Sequence, residues 1–168
     1  MRVLGIDPGL VITGYGVLEH AEGSIRLLDA GTIDSGDIHQ QLPLRLRELY
    51  AQVDEIVREH APDVTALEQL YSHYEHPRTA ILMGHARGVI CLAIAMHDVP
   101  LHSYAPTQVK SALTGNGRAS KDQIQQMVRH TFNLSEVPDP PDVADAIAIA
   151  LCHIYQQDAA SRYLRLVR

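Results

Sequence analysis

Four acidic residues occupy positions where the sequence is otherwise apolar or about to turn. Asp7 ends the run "RVLGID", and Glu68 ends the run "VTALE". Asp142 and Asp145 fall in "DVADAIAIALCH", where most neighbours are aliphatic. A buried carboxylate is costly unless a cation or hydrogen-bond donors face it. These four side chains are therefore the first candidates for chemistry.

Three of the four acids also have ordinary structural interpretations. Asp7 precedes Pro-Gly, which is common turn chemistry, and Glu68 could simply reach solvent at the end of a strand. Asp139 followed by Pro140 resembles a helix N-cap and a first helical residue. That start would place Asp142 in the first turn, where the helix dipole favours a carboxylate.

Asp145 has no such interpretation, because a helix that is apolar on every side is buried. Asp142 and Asp145 are three residues apart and share one face of the helix, so a cation should lie against that face. Two candidates remain open from the residues alone. One is a salt bridge in the core to an arginine such as Arg87, and the other is a divalent metal ion.

A metal site here would use oxygen ligands. The two cysteines, Cys91 and Cys152, lie in apolar segments and form no C-x-x-C motif, so neither a disulfide framework nor a cysteine metal site is indicated. Hard oxygen ligands favour Mg²⁺ or Mn²⁺ over Zn²⁺. Carboxylates that gather around two ions about 3.5–4 Å apart are typical of sites that cleave phosphodiesters.

The elements that must position these acids alternate between strands and helices. Short turns after the first two strands make antiparallel neighbours, and a buried strand between two helices fits a parallel one. The pattern predicts one α/β domain over residues 1–157, followed by a tail over residues 158–168. The predicted strands are residues 2–7, 14–20, 25–32, 63–70 and 99–104, and the predicted helices are residues 42–60, 76–97, 106–113, 120–132 and 140–157.

Two helices carry features that need an explanation. In the first, apolar residues recur at spacings of three and four and place Arg45 on the opposite, polar face. The second is mostly apolar and contains Gly84 and Gly88 one turn apart, which predicts close packing within the domain or a contact between two copies of the chain.

The longest apolar run of the chain, residues 89–96, is too short for a membrane span, and the N-terminus lacks a signal-peptide pattern. A cytoplasmic protein without a membrane partner is the default expectation.

Charge is distributed unevenly along the chain. The net charge is −6 overall, which argues against a general nucleic-acid binder. Residues 1–76 carry 5 Lys or Arg against 13 Asp or Glu, residues 77–130 carry 6 against 2, and residues 131–168 carry 3 against 5. The basic middle could meet a polyanion while the rest stays acidic.

Five blocks of sequence, in order and spacing, resemble the bacterial RuvC family of Holliday-junction resolvases. The likeness runs from about residue 1 to about residue 153. The blocks are "VLGIDPGLVITGYGVLE", "ALEQLY", "HARGV", "APTQVKSALTGNGRASKDQIQQMV" and "DVADAIAIALCH".

The resemblance implies a fold, a chemistry and a set of partners. The fold would be RNase H-like, with a mixed five-stranded sheet of three antiparallel strands followed by parallel ones, flanked by helices. Asp7, Glu68, Asp142 and Asp145 would be catalytic and would bind Mg²⁺ or Mn²⁺, with two ions in each active site. A homodimer would nick two strands of like polarity in a four-way DNA junction, leaving 5′-phosphate and 3′-hydroxyl ends, beside a branch-migration motor. Its role would be in homologous recombination and DNA repair.

The resemblance also suggests residues that contact DNA. Tyr71 matches an aromatic residue that wedges into the junction, where stacking on a base is worth about 1–3 kcal/mol. Lys110 and Lys121 match basic residues that bind DNA. Arg118 is a further candidate, because it lies in the glycine-rich segment "TGNGRASKDQ". There a capping-box pattern opens a helix whose N–H groups could face phosphate. A glycine-rich turn with solvated charges is the alternative, and the histidines of residues 73–76 are interpreted as surface residues.

Other functions remain possible from the residues. An RNase H-like nuclease could act on another nucleic acid, such as an RNA–DNA hybrid. A phosphotransferase domain of the actin type also begins with a strand, Asp and a Gly-rich hairpin, but needs a second large domain. A DNA-binding module without catalysis would not need acids at all four positions.

Overall fold

The central sheet of the computed structural model has five strands in the order β3-β2-β1-β4-β5. The structure describes residues 1–35, 39–70 and 77–166. Its strands are β1 (Arg2–Asp7), β2 (Ile12–Ala21), β3 (Ser24–Asp34), β4 (Val64–Glu68) and β5 (Leu101–Tyr104). The first three strands pair antiparallel, whereas β4 pairs parallel with β1 and β5 parallel with β4. The predicted mixed sheet of an α/β, RNase H-like fold is confirmed.

Within the described residues, five helices cover the two faces of the sheet. They are α1 (Leu42–His60), α2 (Pro77–Ala95), α3 (Pro106–Thr114), α4 (Lys121–Thr131) and α5 (Pro141–Leu166). One buried cluster joins the sheet to α3, α4 and α5, and it contains the aliphatic residues of α5 from Val143 to Ile154. A second cluster joins the opposite face of the sheet to α1 and α2. The sheet therefore lies between two apolar layers.

Glycines in β1 and β2 let α5 approach the sheet closely. A Cβ at Gly14 would lie 2.0 Å from the carbonyl oxygen of Asp142, and one at Gly5 would lie 2.2 Å from that of Ala146. No side chain fits in so little space, so glycine is required at both positions. The absence of side chains there sets how near the start of α5 comes to the end of β1.

Arg45 does not lie on an exposed polar face of α1, as its position in the helical pattern predicts. It is only 6% exposed. Its guanidinium donates hydrogen bonds to the carbonyl oxygen of Leu10 and to the hydroxyl of Ser35, and the Ser35 hydroxyl donates to the same carbonyl. Leu10 and Ser35 thus bind the Nη2 end of this guanidinium, and these contacts hold the segment that follows Asp7.

The interpretation of Gly84 and Gly88 as packing residues within the domain is wrong. Both glycines are exposed, and a Cβ at either would meet no atom within 4 Å. α2 buries Ala86, Ile90, Ala93 and Ile94 instead. In the described part of the chain, α2 is also the one helix that is long and apolar enough to cross a membrane, judged by length and composition alone. Its longest uninterrupted apolar run, residues 89–96, is nevertheless short.

The start and the end of the last helix differ from the predicted ones. α5 begins at Pro141, one residue later than expected, and the cis peptide bond between Asp139 and Pro140 lies before it. It then continues to Leu166. The helix therefore continues past residue 157, where the sequence predicts the boundary between the domain and the tail. No helix end marks that boundary, which stays a prediction.

Candidate active site

Asp7 and Glu68 emerge side by side from neighbouring parallel strands. Ile6 of β1 lies opposite Leu67 of β4, so the next residue of each strand leaves the sheet at the same edge. Both carboxylates follow fully buried residues and are themselves half-buried. The C-terminal edge of parallel strands is where open α/β sheets place their ligands.

Asp142 and Asp145 reach the same place from the first turns of α5. All four acids line one cavity of about 360 Å³ between the sheet edge, α3, α4 and α5. Lys110 of α3 and Lys121 of α4 line it as well. The remaining lining residues are mostly apolar: Pro8, Gly9, Met83, Pro106, Val109, Ile124 and Ile149. The structure thus brings together acids that are up to 138 positions apart in the sequence.

The acids strongly affect one another's protonation. Burial, followed by the negative charges of Glu68, Asp145 and Asp142, raises the pKa of Asp7 to about 8 from its ordinary value of 3.8. Burial and the charge of Asp145 raise the pKa of Glu68, although a hydrogen bond with Asp7 lowers it in part. Lys121 opposes both shifts. The cavity therefore disfavours full ionisation unless more positive charge enters it.

Lys121, and not Arg87, is the cation beside Asp145. The Lys121 Nζ atom lies 3.3 Å from an Oδ atom of Asp145, and this carboxylate raises the pKa of the lysine. The Lys121 side chain is 74% exposed, so the pair is open to solvent and worth little. Arg87 lies elsewhere, with Nε 3.3 Å from the carbonyl oxygen of Glu68 and Nη2 2.7 Å from the hydroxyl of Ser103.

The donor set fits a hard divalent cation. Four carboxylates and two lysines line the cavity, so full ionisation leaves an excess of two negative charges, and carboxylate oxygens are the ligands that Mg²⁺ and Mn²⁺ prefer. Among the described residues, no three His, Cys, Asp or Glu side chains stand close enough to hold an ion as they are. The acids face a common space without forming a tight cage.

The predicted DNA-contact residues have different outcomes. Lys110 and Lys121 line the cavity, whereas Arg118 is exposed and is not among the lining residues. Tyr71 and the histidines of residues 73–76 lie outside the described residues, so their contacts stay predictions. The roles assigned to all of these residues and to the four acids also stay predictions at this point.

The glycine-rich segment before α4 has the capped helix start that its sequence predicts. The Ser120 hydroxyl accepts a hydrogen bond from the backbone N–H of Gln123 at 3.2 Å, and the Gln123 side chain accepts one from the N–H of Ser120 at 2.9 Å. Gly115 ends α3 with a φ of 72°, which favours glycine. This reciprocal cap fixes the first turn of α4 and hence the backbone of Lys121 beside the acids.

Two arginines hold the segments around the acids, and the sequence pattern did not identify either. Arg45 anchors the segment after Asp7 through Leu10, and Arg87 anchors the end of β4 through the Glu68 carbonyl. Each contact joins residues at least 19 positions apart. Helical periodicity reports the face of a residue on its own helix and carries no signal for such partners.

Comparison with known proteins identifies relatives along nearly the whole chain. The family model described as crossover junction endodeoxyribonuclease RuvC matches residues 3–153. The protein of that name from Rhodopirellula baltica is 56% identical over 153 residues, which cover 91% of this chain and 85% of the relative. The one from Caldicellulosiruptor saccharolyticus is 45% identical over 166 residues, which cover 94% and 99%.

Solved structures show the same likeness. The Thermus thermophilus RuvC structure in complex with a Holliday junction substrate has a TM-score of 0.88 and 33% identity, covering 95% of this chain and 96% of that one. The yeast mitochondrial Holliday junction resolvase Ydc2 has a TM-score of 0.73 at 17% identity, covering 98% and 82%. At that identity the likeness shows the fold alone.

Proposed function

The chain belongs to the RuvC family of crossover junction endodeoxyribonucleases, and we propose that its four clustered carboxylates form the metal-dependent centre with which it cuts Holliday junctions. As a member of this family the chain is an endonuclease that resolves such junctions. The observation that carries the proposal is the single cavity in which Asp7, Glu68, Asp142 and Asp145 meet. We further propose two Mg²⁺ or Mn²⁺ ions in each active site.

The residues of the chain contribute position and charge. Asp7 and Glu68 are fixed by adjacent parallel strands, and Asp142 and Asp145 by the first turns of a buried helix. Bound divalent ions would supply Lewis acidity to the scissile phosphate and to the attacking water. Apolar neighbours such as Val109 and Ile149 line part of the cavity and would lower the local dielectric constant, which strengthens electrostatic interactions.

The basic residues would hold the DNA backbone next to the acids. Lys110 and Lys121 line the cavity from α3 and α4 and would pair with phosphates on either side of the cut. Arg118 precedes Lys121 on the exposed surface and would extend this contact along the strand. Tyr71 would stack on an unpaired base at the junction, following its match to the family pattern.

A synthetic four-way junction tests this function directly. Wild-type protein with Mg²⁺ or Mn²⁺ should give paired nicks with 5′-phosphate and 3′-hydroxyl ends, and EDTA should abolish them. Asp7→Asn, Glu68→Gln, Asp142→Asn and Asp145→Asn should each abolish cutting and leave junction binding unchanged. Equal loss of binding in these variants would contradict the assignment of the acids to chemistry.

Other substrates are separated by the same assay. Parallel reactions with an RNA–DNA hybrid and a linear duplex should show little cleavage, because paired cuts require a junction that presents two equivalent strands. Preferential cleavage of the hybrid would favour an RNase H-like nuclease of different specificity.

We propose that a second copy of the chain covers the exposed face of α2. Along this helix Ile81 is 61% exposed and Leu92 is 54% exposed, and Gly84 and Gly88 lie between them with open space above. Residues at these spacings share one face of a helix, and small residues permit close approach of a second helix. Two active sites in one particle would explain paired nicks.

A branch-migration motor is the third proposed partner, after junction DNA and the second copy. The family resemblance supports it. A motor that moves the junction point would bring preferred sequences to the cavity, so adding a branch-migrating helicase complex should increase the yield of cuts on a mobile junction and not on an immobile one. Equal yields on both junctions would contradict it.

A further inference from the structure

A buried hydrogen bond joins the last strand of the sheet to the helix that carries two of the acids. The Tyr104 hydroxyl of β5 lies 2.7 Å from Nδ1 of His153 in α5. Tyr104 is 7% exposed and His153 is 2% exposed. The surrounding cluster is aliphatic, with Ile149, Cys152 and Ile154 close by in the sequence of α5.

Each partner of this bond belongs to an element next to, or carrying, a different carboxylate of the cavity. Tyr104 is the cross-strand neighbour of Glu68 in the parallel pairing of β4 and β5, and its carbonyl oxygen accepts a hydrogen bond of 2.8 Å from the N–H of Gln69. His153 follows Asp142 by eleven residues, which is close to three helical turns and places both on one face of α5. The bond therefore spans from the strand beside Glu68 to the helix face of Asp142.

We propose that Tyr104 and His153 are positioning residues that set the end of β4 against the start of α5, and so set Glu68 relative to Asp142 and Asp145. The inference deepens the proposed function and rests on it. Neither side chain lines the cavity, so the pair acts through the elements to which it belongs.

A hydrogen bond can fix the position of α5 relative to the sheet more closely than apolar packing alone. Aliphatic side chains of α5 can pack on the sheet at several small offsets, whereas one satisfied polar pair in an apolar layer selects a single register. Burial lowers the pKa of His153 and so favours its neutral ring, in which Nδ1 can accept a hydrogen bond from the Tyr104 hydroxyl. The His102 ring lies 5.1 Å from the His153 ring between centroids.

On the opposite face of the sheet, a separate contact holds the ends of β4 and β5. Arg87 reaches from α2 to the carbonyl oxygen of Glu68 and to the hydroxyl of Ser103, the residue before Tyr104. The ends of β4 and β5 are thus fixed from both layers. With Arg87 in place, loss of the Tyr104 bond should shift α5 relative to Glu68 without unfolding the sheet.

The test compares Tyr104→Phe with Tyr155→Phe. Tyr155 is a half-buried tyrosine of α5 that packs on the same cluster and does not line the cavity of the carboxylates, so both variants remove one tyrosine hydroxyl from the same layer. We expect Tyr104→Phe to lower single-turnover junction cleavage about 10–100-fold. It should also raise the Mn²⁺ concentration needed for half of the metal-induced rise in melting temperature. Junction affinity in EDTA should stay unchanged, and Tyr155→Phe should match the wild type in all three measurements.

Substitution of His153 supplies the rescue. In His153→Asn the side-chain oxygen takes approximately the place of Nδ1 and can accept the Tyr104 hydroxyl, whereas His153→Leu cannot. Cleavage and Mn²⁺ dependence should be better preserved in the Asn variant. Equal Mn²⁺ dependence in Tyr104→Phe and Tyr155→Phe, or equal defects in His153→Asn and His153→Leu, would overturn the inference. A wild-type protein that fails to cut junctions would instead overturn the proposed function.

Discussion

The surroundings of Asp7 disfavour its ionised form. It ends a buried strand and faces three other carboxylates, and together these raise its pKa to about 8. Nearby Lys121 offsets only part of the repulsion, because its side chain is mostly exposed. A divalent cation in the cavity would remove the remaining cost, so metal binding and stability should be coupled at this residue.

The first prediction concerns stability without metal. An unfolded chain releases the Asp7 proton near pH 4, whereas the folded chain holds it until about pH 8. The folded state therefore binds more protons between these values, and the free energy of unfolding should fall as pH rises from 4 to 8. Asp7→Asn should remove that loss and be more stable than wild type by about 1–3 kcal/mol at pH 8.5 in EDTA.

Urea unfolding followed by circular dichroism measures this difference, with Glu136→Gln as the control. Glu136 is an exposed carboxylate outside the cavity, and its removal should change stability by less than about 0.5 kcal/mol. Adding Mn²⁺ should stabilise the wild type and not Asp7→Asn. An Asn variant less stable than wild type in EDTA would contradict the electrostatic account of the cavity.

The second prediction concerns Lys121 and DNA. Lys121→Ala should weaken junction binding in EDTA and reduce the slope of log affinity against log salt by about one, because one phosphate contact is lost. Fluorescence anisotropy with a labelled junction at several salt concentrations gives both values. Arg58→Ala, which removes an exposed cation paired with Asp54 on α1, should leave the slope unchanged. An unchanged slope in Lys121→Ala would remove this lysine from the phosphate contacts.

At the scale of elements, the site depends on how closely α5 approaches the sheet. β1 and β2 carry glycines where α5 crosses them, and the backbone of Asp142 lies against Gly14. The first turns of α5 are thus seated near the end of β1, which brings Asp142 and Asp145 next to Asp7. The position of the acids is set by backbone contact at β1 and β2, and the Tyr104–His153 bond joins α5 to β5 on the same face of the sheet.

The third prediction compares two glycines of β2. A Cβ at Gly14 would lie 2.0 Å from a backbone carbonyl oxygen, whereas the nearest atom to one at Gly16 would be the side-chain Cγ1 of Ile147 at 2.7 Å, with backbone atoms of Ile147 at 3.2 and 3.3 Å. Gly14→Ala should lower the free energy of unfolding by at least about 2 kcal/mol and abolish cutting, because α5 must move. Gly16→Ala should cost less and keep some activity, because its closest contact is with a side-chain atom and its backbone contacts are longer.

Urea unfolding and junction cleavage at the same protein concentration check the comparison. If Gly14→Ala cut junctions at the wild-type rate, close seating of α5 would not be required for the site. The order of the two variants is the informative result, because both substitutions add one methyl to the same strand.

The sequence predicted the elements well where the signal was local. The end of β1 at Asp7, the strand before Glu68 and the capped start of α4 follow from apolar runs, turn residues and the pairing of Ser120 with Gln123. It failed where distant partners decide. Arg45 is buried because a loop carbonyl about 35 positions away accepts its hydrogen bond.

Gly84 and Gly88 of α2 show the same limit of sequence-based prediction, here for exposed residues. A small residue on an apolar helix indicates close approach by something, but the sequence does not say by what. Within the chain, α2 packs through Ala86 and Ile90 and leaves Gly84 and Gly88 exposed. A second copy on that face, as proposed, would be a contact between chains, which a pattern within one chain can suggest but cannot locate.

At the scale of the whole molecule, α2 leaves an apolar face open on one side. Exposed side chains as large as Ile81 and Leu92 on one helix, with exposed Met96 directly after its end, are unusual for a surface that meets only water. A second copy packed there would bury them and would give each particle two cavities. The chain as a whole has a net charge of −6. The basic middle region, residues 77–130, is therefore the part best suited to contact DNA.

The fourth prediction tests this arrangement. Leu92→Glu should convert a dimer into a monomer, because it places a charge in an apolar contact, and should change paired nicks into slow single nicks. Leu28→Glu is the matched control, since Leu28 is 40% exposed on β3 and far from α2 in the fold. Sedimentation velocity and cleavage of a plasmid-borne junction measure the two effects. A Leu92→Glu variant that stays dimeric would exclude this face as the contact.

The central claim is that Asp7, Glu68, Asp142 and Asp145 together bind divalent cations. Anomalous diffraction at the manganese edge, from crystals grown with Mn²⁺, measures this most directly. We predict manganese peaks in the cavity with oxygen atoms of all four acids around them, and no such peaks in Asp7→Asn crystals. A wild-type cavity without manganese, in which Lys121 alone neutralises the carboxylates, would contradict the account.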